Sequence, residues 1–331
     1  MAILITGAAG YIGSHVLKEL KNPNSASKIS DKDIVLVDNL NTGHELALLG
    51  HPFYHFDISD TTKLEELFNK YSFDSVIHFA AHIVVPESVS NPLKYYSNNT
   101  ANTLKLLVLC EKYKVKNFVF SSTAAVYGIP TKYLSLESDT PHPINPYGNS
   151  KLMTETMIQD FCTASSMRAV ILRYFNVAGA DQSGLIGQSF PNATHLIKVA
   201  CEVAIGKRPF IEIFGTDFST ADGTCIRDYI HVSDLASAHV SALDYLNQGG
   251  ETVILNCGYS KGHSVKEVIA VVEKVSKVNL DVRVSGRRAG DPPAVVSDSA
   301  KIQKVLTWRP KYNDLALIVD SALKWEKNPK F

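Results

Sequence analysis

The sequence predicts an α/β fold, with a Rossmann-type doubly wound parallel sheet followed by a smaller C-terminal α/β lobe. Three observations lead to this prediction. An apolar strand opens the chain, a glycine-rich turn and a helical pattern follow it directly, and short apolar strands then alternate with helical patterns over the first half. Such alternation is typical of parallel sheets, because each connecting helix crosses over one face of the sheet.

Length and composition set the scale of the molecule. With 331 residues, 45% of them hydrophobic, the chain can bury a core large enough for two lobes. We expect a cofactor-binding Rossmann domain at 1–176 and a substrate domain at 177–331, with some segments of the latter returning to the Rossmann sheet. Basic and acidic residues both number 33, and basic residues form no run. Binding to nucleic acid or to a membrane is therefore not expected.

Cysteine usage and the first residues indicate a cytoplasmic protein. The five cysteines are an odd, scattered set without metal-site spacing. We therefore expect reduced, mostly buried thiols and no metal. The chain begins with an apolar strand that runs straight into glycines, unlike a signal peptide. No apolar run in the sequence reaches the length of a membrane span.

The first motif is a strand, a glycine turn and a helix. Residues 2–6 are apolar, Gly7, Gly10 and Gly13 form G-x-x-G-x-x-G, and a helical pattern continues to residue 20. Glycines let the backbone approach a pyrophosphate, and the N–H groups of the helix donate to its oxygens. This setting favours a dinucleotide. The alternative is a tight turn whose small residues serve packing alone.

Asp38 bears on which dinucleotide is bound. It ends the predicted strand 34–38, 25 residues beyond Gly13, after a polar connection at 21–33 that we expect to be exposed. A carboxylate at this point accepts hydrogen bonds from both ribose hydroxyls and repels a 2′-phosphate. The sequence therefore favours NAD over NADP, and Asn39 stands where an arginine would have indicated NADP. The alternative role of Asp38 is a helix or turn cap.

The next strands bring further polar residues to the expected cofactor edge. Asp57 ends a third strand, where its carboxylate could bind the adenine. Residues 75–81 form a buried strand that runs into a small-residue turn, and its His78 is expected to be a core histidine. A long helical pattern at 86–114 carries two neighbouring asparagines, one of which is expected to face the cofactor.

The candidate catalytic groups follow the fifth strand. Thr123 lies just beyond this strand, where its hydroxyl could hydrogen-bond a substrate oxygen. Pro146 can open a helix at 146–165, in which Tyr147 and Lys151, four residues apart, share one face. A nearby ammonium and a helix N-terminus both favour phenolate, which would allow tyrosine to transfer protons near neutral pH. The alternative is a packed tyrosine beside a solvated lysine.

The second half carries a candidate anion site. Glycine, serine and proline become frequent after a strand at 169–175, and we place the change of lobe there. Arg227 lies within the segment 222–232, and Arg288 lies in a basic, proline-fixed loop at 286–293. Guanidinium forks match phosphate oxygens, so the two arginines could clamp a second pyrophosphate. The alternative is a pair of arginines in surface ion pairs.

Together these motifs resemble the UDP-glucose 4-epimerase (UDP-galactose 4-epimerase) family of the extended short-chain dehydrogenase/reductase superfamily. The glycine and Tyr-x-x-x-Lys motifs mark only the superfamily. Tyr-Phe-Asn, Gly-Thr-Cys-Ile-Arg-Asp-Tyr-Ile-His-Val and Arg-Arg-x-Gly-Asp are more specific to the epimerases. The resemblance runs nearly end to end, through 6–15, 38–40, 76–80, 92–99, 120–128, 146–153, 172–176, 222–232 and 287–293.

The resemblance implies a role for each matching position. Tyr147 is the implied base on the sugar 4-hydroxyl, supported by Thr123, and Lys151 is implied to lower the pKa of Tyr147 and to bind the nicotinamide ribose. The implied cofactor contacts are Gly7, Gly10, Tyr11, Ile12 and Gly13 at the pyrophosphate, Asp38 and Asn39 at the ribose, Asp57 and Ile58 at the adenine, and Phe79, Ala80, Asn98, Tyr147, Lys151 and Phe175 along the rest of NAD. The implied substrate contacts are Thr123, Tyr147, Asn176, His195, Phe214, Arg227, Tyr229, Arg288, Asp291 and Val295.

The implied activity is inversion of C4 of a UDP-hexose, UDP-galactose or UDP-glucose. A hydride passes from C4 to NAD, the 4-keto sugar rotates about its diphosphate, and the hydride returns to the other face. NAD is regenerated in each turnover and is expected to stay tightly bound. Most binding energy must then come from UDP, since both faces of the sugar are accepted.

The same resemblance shows three places at which the chain differs from some family members, and it implies an oligomeric state. Thr123 replaces the serine of some members, which keeps the hydroxyl. His82 and Ile83 stand where several relatives have leucine and lysine. Val295 stands where some carry a tyrosine, so we expect room for the N-acetyl group of UDP-GalNAc or UDP-GlcNAc. The resemblance also implies a homodimer through a four-helix contact.

Other activities remain alternatives on the sequence. A nucleotide-sugar 4,6-dehydratase needs an additional acid, and Thr123 is followed by two alanines instead. Asp38 disfavours an NADP-dependent reductase. A non-catalytic, NAD-sensing protein would not require Thr123, Tyr147 and Lys151 together.

Overall fold

The computed structural model describes residues 2–22, 29–190, 193–288 and 290–331. Part of the predicted exposed connection at 21–33, namely 23–28, lies outside the described residues. In chain order the strands are β1 (Ala2–Thr6), β2 (Ile34–Asp38), β3 (Phe53–His55), β4 (Phe73–His78), β5 (Asn117–Ser121), β6 (Leu134–Ser135), β7 (Arg168–Tyr174), β8 (Asn176–Ala178), β9 (Ile211–Phe214), β10 (Ile226–His231), β11 (Val253–Cys257), β12 (Gly262–Ser264), β13 (Val282–Ser285) and β14 (Ala294–Ser297).

The helices lie between these strands and at the C-terminal end. They are α1 (Tyr11–Leu20), α2 (Thr61–Lys70), α3 (Val85–Ser90), α4 (Pro92–Tyr95), α5 (Asn102–Lys112), α6 (Pro146–Ala164), α7 (Leu196–Ala204), α8 (Val232–Asn247), α9 (Val265–Ser276), α10 (Ala300–Val305) and α11 (Leu315–Lys327). No helix of the described residues is long and apolar enough to cross a bilayer.

A seven-stranded parallel sheet organises the molecule. Its order is β3-β2-β1-β4-β5-β7-β11, so the predicted Rossmann-type sheet is confirmed. Alternate residues of β1 enter opposite cores: Ile3 and Ile5 pack on the side of α1 and α8, and Leu4 packs on the side of α2, α5 and α6. The edge strand β11 comes from the second half of the chain.

The smaller lobe is built around β10. This strand pairs with β8 and β14 in parallel and with β12 antiparallel, and β6 extends the sheet beyond β14. A separate parallel pair joins β9 to β13. Helices α7, α9 and α11 enclose a core of aliphatic side chains beside these strands.

The prediction of one continuous helical pattern at 86–114 is wrong, because the helix is interrupted. Pro92 opens α4 after α3 has ended, and a π-helical turn at Tyr96–Ala101 then leads into α5. A proline lacks the N–H that would continue the preceding helix. A π turn inserts an extra residue into the helical ladder, often at functional sites.

Candidate active site

The chain's own packing requires two of the three glycines in the first turn. Gly7 has φ +72°, and a Cβ there would lie 2.6 Å from the backbone nitrogen of Ala80. A Cβ on Gly13 would lie 2.3 Å from the carbonyl oxygen of Gly7. The loop therefore folds tightly against α1 and the end of β4. A side chain at either glycine would prevent this close packing.

Gly10 differs from these two glycines, and the difference bears on NAD. A Cβ on Gly10 would approach only the Gly7 carbonyl oxygen, at 3.3 Å. No described side chain caps the first turn of α1, whose N-cap is Gly10. The bare glycine and the N–H groups of this turn suit a pyrophosphate, so the loop fits NAD. The hydroxyl of Tyr11 donates to the Gly179 carbonyl (2.6 Å), which leaves the backbone of Tyr11 as the part able to bind phosphate.

Asp38, predicted to bind the ribose, shapes the glycine loop. Its Oδ2 accepts from the Ala9 N–H (2.9 Å) and its Oδ1 accepts from the Leu40 N–H (2.8 Å). Burial raises the pKa of Asp38, and the hydrogen bonds from Leu40 and Ala9 oppose that shift. The alternative role as a turn cap is thus real, and it coexists with cofactor binding because each carboxylate oxygen has a second lone pair.

Asp57, predicted at the adenine, forms a small cluster with Asn39, predicted at the ribose. The amide of Asn39 donates to Asp57 (2.6 Å), which also accepts from the Ser59 N–H (2.8 Å). The Ile58 side chain, by contrast, is buried in the core beneath the sheet. Any contact of Ile58 with adenine therefore falls to its backbone.

The remaining predicted cofactor residues lie beside the glycine loop and on the π turn. Ala80 touches the loop at Gly7, and the ring of Phe79 packs against His239 (4.9 Å between centroids). Asn98 donates to the buried Asn99 (3.1 Å). His78 bonds both Thr6 and Thr103 through its ring nitrogens, and the prediction of a core histidine is confirmed.

Asn99 has a structural role that the sequence did not separate from that of Asn98. It accepts from the His82 N–H (2.8 Å) and donates to the His82 carbonyl (3.0 Å) and to the Ser150 hydroxyl (3.0 Å). The side chain therefore ties the loop after β4 to α6, the helix of Tyr147. His82, where several relatives are expected to have leucine, contributes its backbone N–H and carbonyl to this connection.

Tyr147 and Thr123 are brought together by the start of α6. Asn145 caps the helix by accepting from the Gly148 N–H (2.8 Å), and Pro146 occupies its first position, as predicted. A Cβ on Gly148 would lie 2.7 Å from the Ala125 carbonyl, so this glycine lets α6 pack closely on the turn that follows Thr123. Burial raises the pKa of Tyr147, Tyr174 adds to the shift, and a hydrogen bond with Thr123 opposes it.

Lys151 is buried rather than solvated, at 3% exposure, which removes the alternative of a surface lysine. Its Nζ donates to the Ser121 carbonyl (2.9 Å) and lies 4.7 Å from the centre of the Phe120 ring. Burial lowers the pKa of Lys151 to about 7, and Glu155 opposes the shift. Thr123, and not Lys151, counteracts the raised pKa of Tyr147 in this arrangement. We call Thr123, Tyr147 and Lys151 the catalytic edge.

Four of the predicted substrate residues lie on one face of the sheet around β10. Arg227 is paired with Val295 of β14, and Tyr229 is paired with Asn176 of β8. Residues two apart on a strand point the same way, so these four side chains project together. Val295 packs with Phe175 and with the turn after Thr123, which brings this face to the catalytic edge.

We call residues 286–293 the arginine loop. Arg288 belongs to this loop, whereas Arg227 lies on β10 and contacts it. Arg227 donates to the Pro292 carbonyl (2.9 Å), and its Nη2 lies 3.6 Å from Asp291. Arg288 is exposed and stacks on Phe214, with 3.6 Å from Cζ to the ring centre. The alternative of a surface ion pair holds instead for Arg287, which pairs with Asp217 (2.7 Å).

His195 lies beside a small cavity that Asn176 and Tyr229 also line. Its Nδ1 is 2.9 Å from the amide nitrogen of Gln188, a residue absent from the sequence-based prediction. Burial lowers the pKa of His195, and Lys198 contributes to the shift. Gln188 lies in an irregular segment, so no periodic pattern could have indicated it.

Two further groups near the catalytic edge were not predicted. Tyr174 influences the pKa of Tyr147, and Glu155 influences that of Lys151. Both positions carried signals: Tyr174 ends β7 at the ligand-binding edge, and Glu155 follows Lys151 by one helical turn.

A dinucleotide-fitting glycine loop and a buried tyrosine–lysine pair at the same sheet edge define an enzyme of the short-chain dehydrogenase/reductase kind. The chain belongs to the NAD dependent epimerase/dehydratase family, which it matches over residues 3–258. It is 50% identical to the UDP-glucose 4-epimerase of Azospirillum brasilense over 327 residues, which cover 98% of this chain and 92% of that protein.

Solved structures agree with this assignment over the full length. The UDP-glucose 4-epimerase from Brucella ovis in complex with NAD is 41% identical, with a TM-score of 0.91 and 97% of each chain covered. The UDP-Glc/GlcNAc 4-epimerase from Campylobacter jejuni is 48% identical, with a TM-score of 0.85, and the match covers 98% of this chain and 99% of that one.

Proposed function

We propose that this protein is an NAD-dependent isomerase that inverts C4 of a UDP-hexose, interconverting UDP-galactose and UDP-glucose. The observation that carries the proposal is the buried set of Thr123, Tyr147 and Lys151 beside the glycine loop. Full-length similarity to proteins named UDP-glucose 4-epimerase supports it.

Each residue of the catalytic edge has a part in this proposal. Bound NAD supplies a hydride acceptor that is regenerated within each turnover. Tyr147 takes the proton of the sugar 4-hydroxyl, and the Thr123 hydroxyl holds the same oxygen. Lys151 binds the nicotinamide ribose, and the hydrogen bond from Thr123 is what favours phenolate at Tyr147. Arg227, Arg288 and Asp291 hold the UDP diphosphate region, with His195, Asn176, Phe214 and Tyr229 around the rest of the substrate.

The test is an epimerisation assay on purified protein without added NAD, using UDP-galactose. Conversion to UDP-glucose is expected, because NAD regenerated in each turnover need not leave the enzyme. A 4,6-dehydratase would give a 4-keto-6-deoxy product instead, and an NAD-sensing protein would give none. A dehydratase would need an additional acid beside Thr123, and the chain has alanines there, which disfavours that activity.

We further propose that N-acetylated UDP-hexoses are accepted. Val295 is half-buried against Phe175 and the turn after Thr123, where a tyrosine would fill more of the sugar side of the cleft. The name of the Campylobacter relative includes GlcNAc. Val295→Tyr is expected to abolish turnover of UDP-GalNAc while sparing UDP-galactose. Absence of UDP-GalNAc turnover by the unaltered protein would refute this specificity.

We propose a homodimer formed by α4, α5 and the intervening π turn together with α6. Large apolar side chains are exposed on these helices: Leu93 at 74%, Val108 at 54%, Leu104 and Met153 at 50%. Such a patch usually marks an interface. Replacing Leu93 and Val108 by glutamate should give a monomer in light scattering, whereas an unchanged mass would exclude this face.

Three further expectations from the sequence remain proposals. They are the division into domains 1–176 and 177–331, a cytoplasmic location, and a place in galactose metabolism. Limited proteolysis near residue 176 tests the first of these.

A further inference from the structure

A buried ion pair lies directly behind the catalytic edge. Glu155 is fully buried on α6, one turn beyond Lys151, and Arg173 is buried on β7. Arg173 donates through Nε to both Glu155 oxygens (3.1 Å each) and through Nη2 to Oε2 (2.6 Å). The Ser122 hydroxyl also donates to Glu155. The proposed mechanism assigns this cluster no part.

The pair joins every segment that carries a catalytic group. Ser122 stands between Ser121, whose carbonyl accepts from Lys151, and Thr123. Glu155 shares α6 with Tyr147 and Lys151. Arg173 precedes Tyr174 and lies over the ring of Tyr127 (5.0 Å), in the turn that follows Thr123. One carboxylate thus links the end of β5, the catalytic helix and the end of β7.

We propose that the Glu155–Arg173 pair is a positioning element that holds Thr123, Tyr147 and Lys151 in register and favours the ammonium form of Lys151. The inference rests on the proposed epimerase function. The polar partners favour a carboxylate over an amide at 155, because every neighbouring hydrogen bond comes from a donor and glutamine would turn an NH₂ group toward one of them.

Charge provides the second part of the inference. Lys151 faces Glu155 on its own helix, the Ser121 carbonyl and the Phe120 ring on β5, and His78 on β4. Tyr147 precedes Lys151 by one turn of the same helix, and Glu155 is paired with Arg173 on β7. Burial lowers the pKa of His78 to about 3, so His78 is neutral. Among the described residues, the carboxylate of the Glu155–Arg173 pair therefore acts on the ammonium charge.

Two variants that break the same pair should move the pH profile in opposite directions. Glu155→Gln leaves Arg173 uncompensated, lowers the pKa of Lys151, and shifts the alkaline limb of kcat to lower pH by about half a unit or more. Arg173→Met leaves Glu155 uncompensated and shifts that limb upward. The measurement is kcat for UDP-galactose epimerisation across about pH 6 to 10, a range that spans a lysine pKa lowered by burial.

Controls separate positioning from mere stability. Ser122→Ala and Arg173→Lys keep both charges and should lower kcat about three- to tenfold, as for one lost hydrogen bond, without moving the limb. Asp234→Asn removes a buried carboxylate that holds Tyr259 and the 311–312 backbone, and it should leave kcat and the limb unchanged in the folded fraction.

The inference would be overturned if the alkaline limb of the kcat profile stays in place in Glu155→Gln and Arg173→Met, or moves in the same direction in both. If one of these variants does not fold, the other decides by the direction of its shift. If neither folds, Ser122→Ala and Arg173→Lys decide, and an unchanged kcat in both overturns it. Failure of the unaltered protein to epimerise UDP-galactose would instead count against the proposed function.

Discussion

The catalytic edge and the arginine loop are built in different ways. At the catalytic edge Thr123, Tyr147 and Lys151 are all buried, and hydrogen bonds from strand ends and the capped start of α6 hold them. In the arginine loop Arg288 is exposed, and Arg227, on the neighbouring strand β10, contacts this loop through the Pro292 carbonyl and, at 3.6 Å, through Asp291. The proposed reacting groups are thus fixed by the core, and the proposed anion-binding groups lie on a surface loop or against it.

This difference suits the proposed reaction. A sugar that must present both faces cannot be gripped tightly, so rigid reacting groups have to define the geometry of proton transfer. The diphosphate provides most of the binding energy, and charged side chains on a loop can close around it. We therefore expect substitutions at the catalytic edge to lower kcat and substitutions in the arginine loop to raise KM.

The largest effect is expected at Tyr147. Tyr147→Phe removes the group proposed to accept the 4-hydroxyl proton, and kcat should fall about 10²- to 10⁴-fold. Steady-state kinetics with UDP-galactose measures the loss, and circular dichroism checks the fold. Tyr113→Phe removes a hydroxyl that bonds only side chains on α2, Glu65 and Asn69, among the described residues, and should be neutral. Retained activity in Tyr147→Phe would place the base elsewhere.

The glycine loop tests how rigid the cofactor side is. In Gly13→Ala the new Cβ would meet the Gly7 carbonyl, and the free energy of unfolding should drop by about 2 kcal/mol or more, as measured in urea. Gly10→Ala should remain closer to the parent in stability but lose co-purifying NAD, detected by absorbance after denaturation. Equal stability losses in the two variants would contradict the division of roles between these glycines.

Arg227 is expected to matter for binding. Arg227→Gln should raise KM for UDP-galactose about 10- to 100-fold with a smaller change in kcat, since a hydrogen bond to a charged group contributes about 1.5–3 kcal/mol. Arg287→Gln is the matched control, because it breaks an exposed pair with Asp217 and should change KM less than about twofold. A fall in kcat alone would place Arg227 with the reacting groups.

Arg288 should give the smallest effect of the set. Its exposed stacking on Phe214 is expected to contribute about 0.5–1 kcal/mol, so Arg288→Gln should raise KM only about two- to fivefold. The effect should shrink as salt is added, since exposed charges are screened. An increase in KM as large as that of Arg227→Gln would mean that the loop closes over the diphosphate and buries Arg288.

Local patterns were sufficient for much of the fold and for the residue types of the site. The apolar strand followed by spaced glycines, Asp38 at a strand end, and Tyr147 four residues before Lys151 were all readable, because backbone periodicity and chain sterics act over a few residues. The position of Pro146 also indicated the start of α6 correctly. The interruption of the helix at 86–114 was missed, although Pro92 was a visible signal.

Tertiary structure alone decided which neighbours these residues acquire. The burial of Lys151 and its bond to Ser121, and the meeting of Glu155, Arg173 and Ser122, join segments that are distant in sequence. Long-range packing sets desolvation and hydrogen bonding, and these in turn set the pKa values of Tyr147 and Lys151. The proposed catalytic groups were therefore visible in the chain, whereas their protonation depends on the folded core.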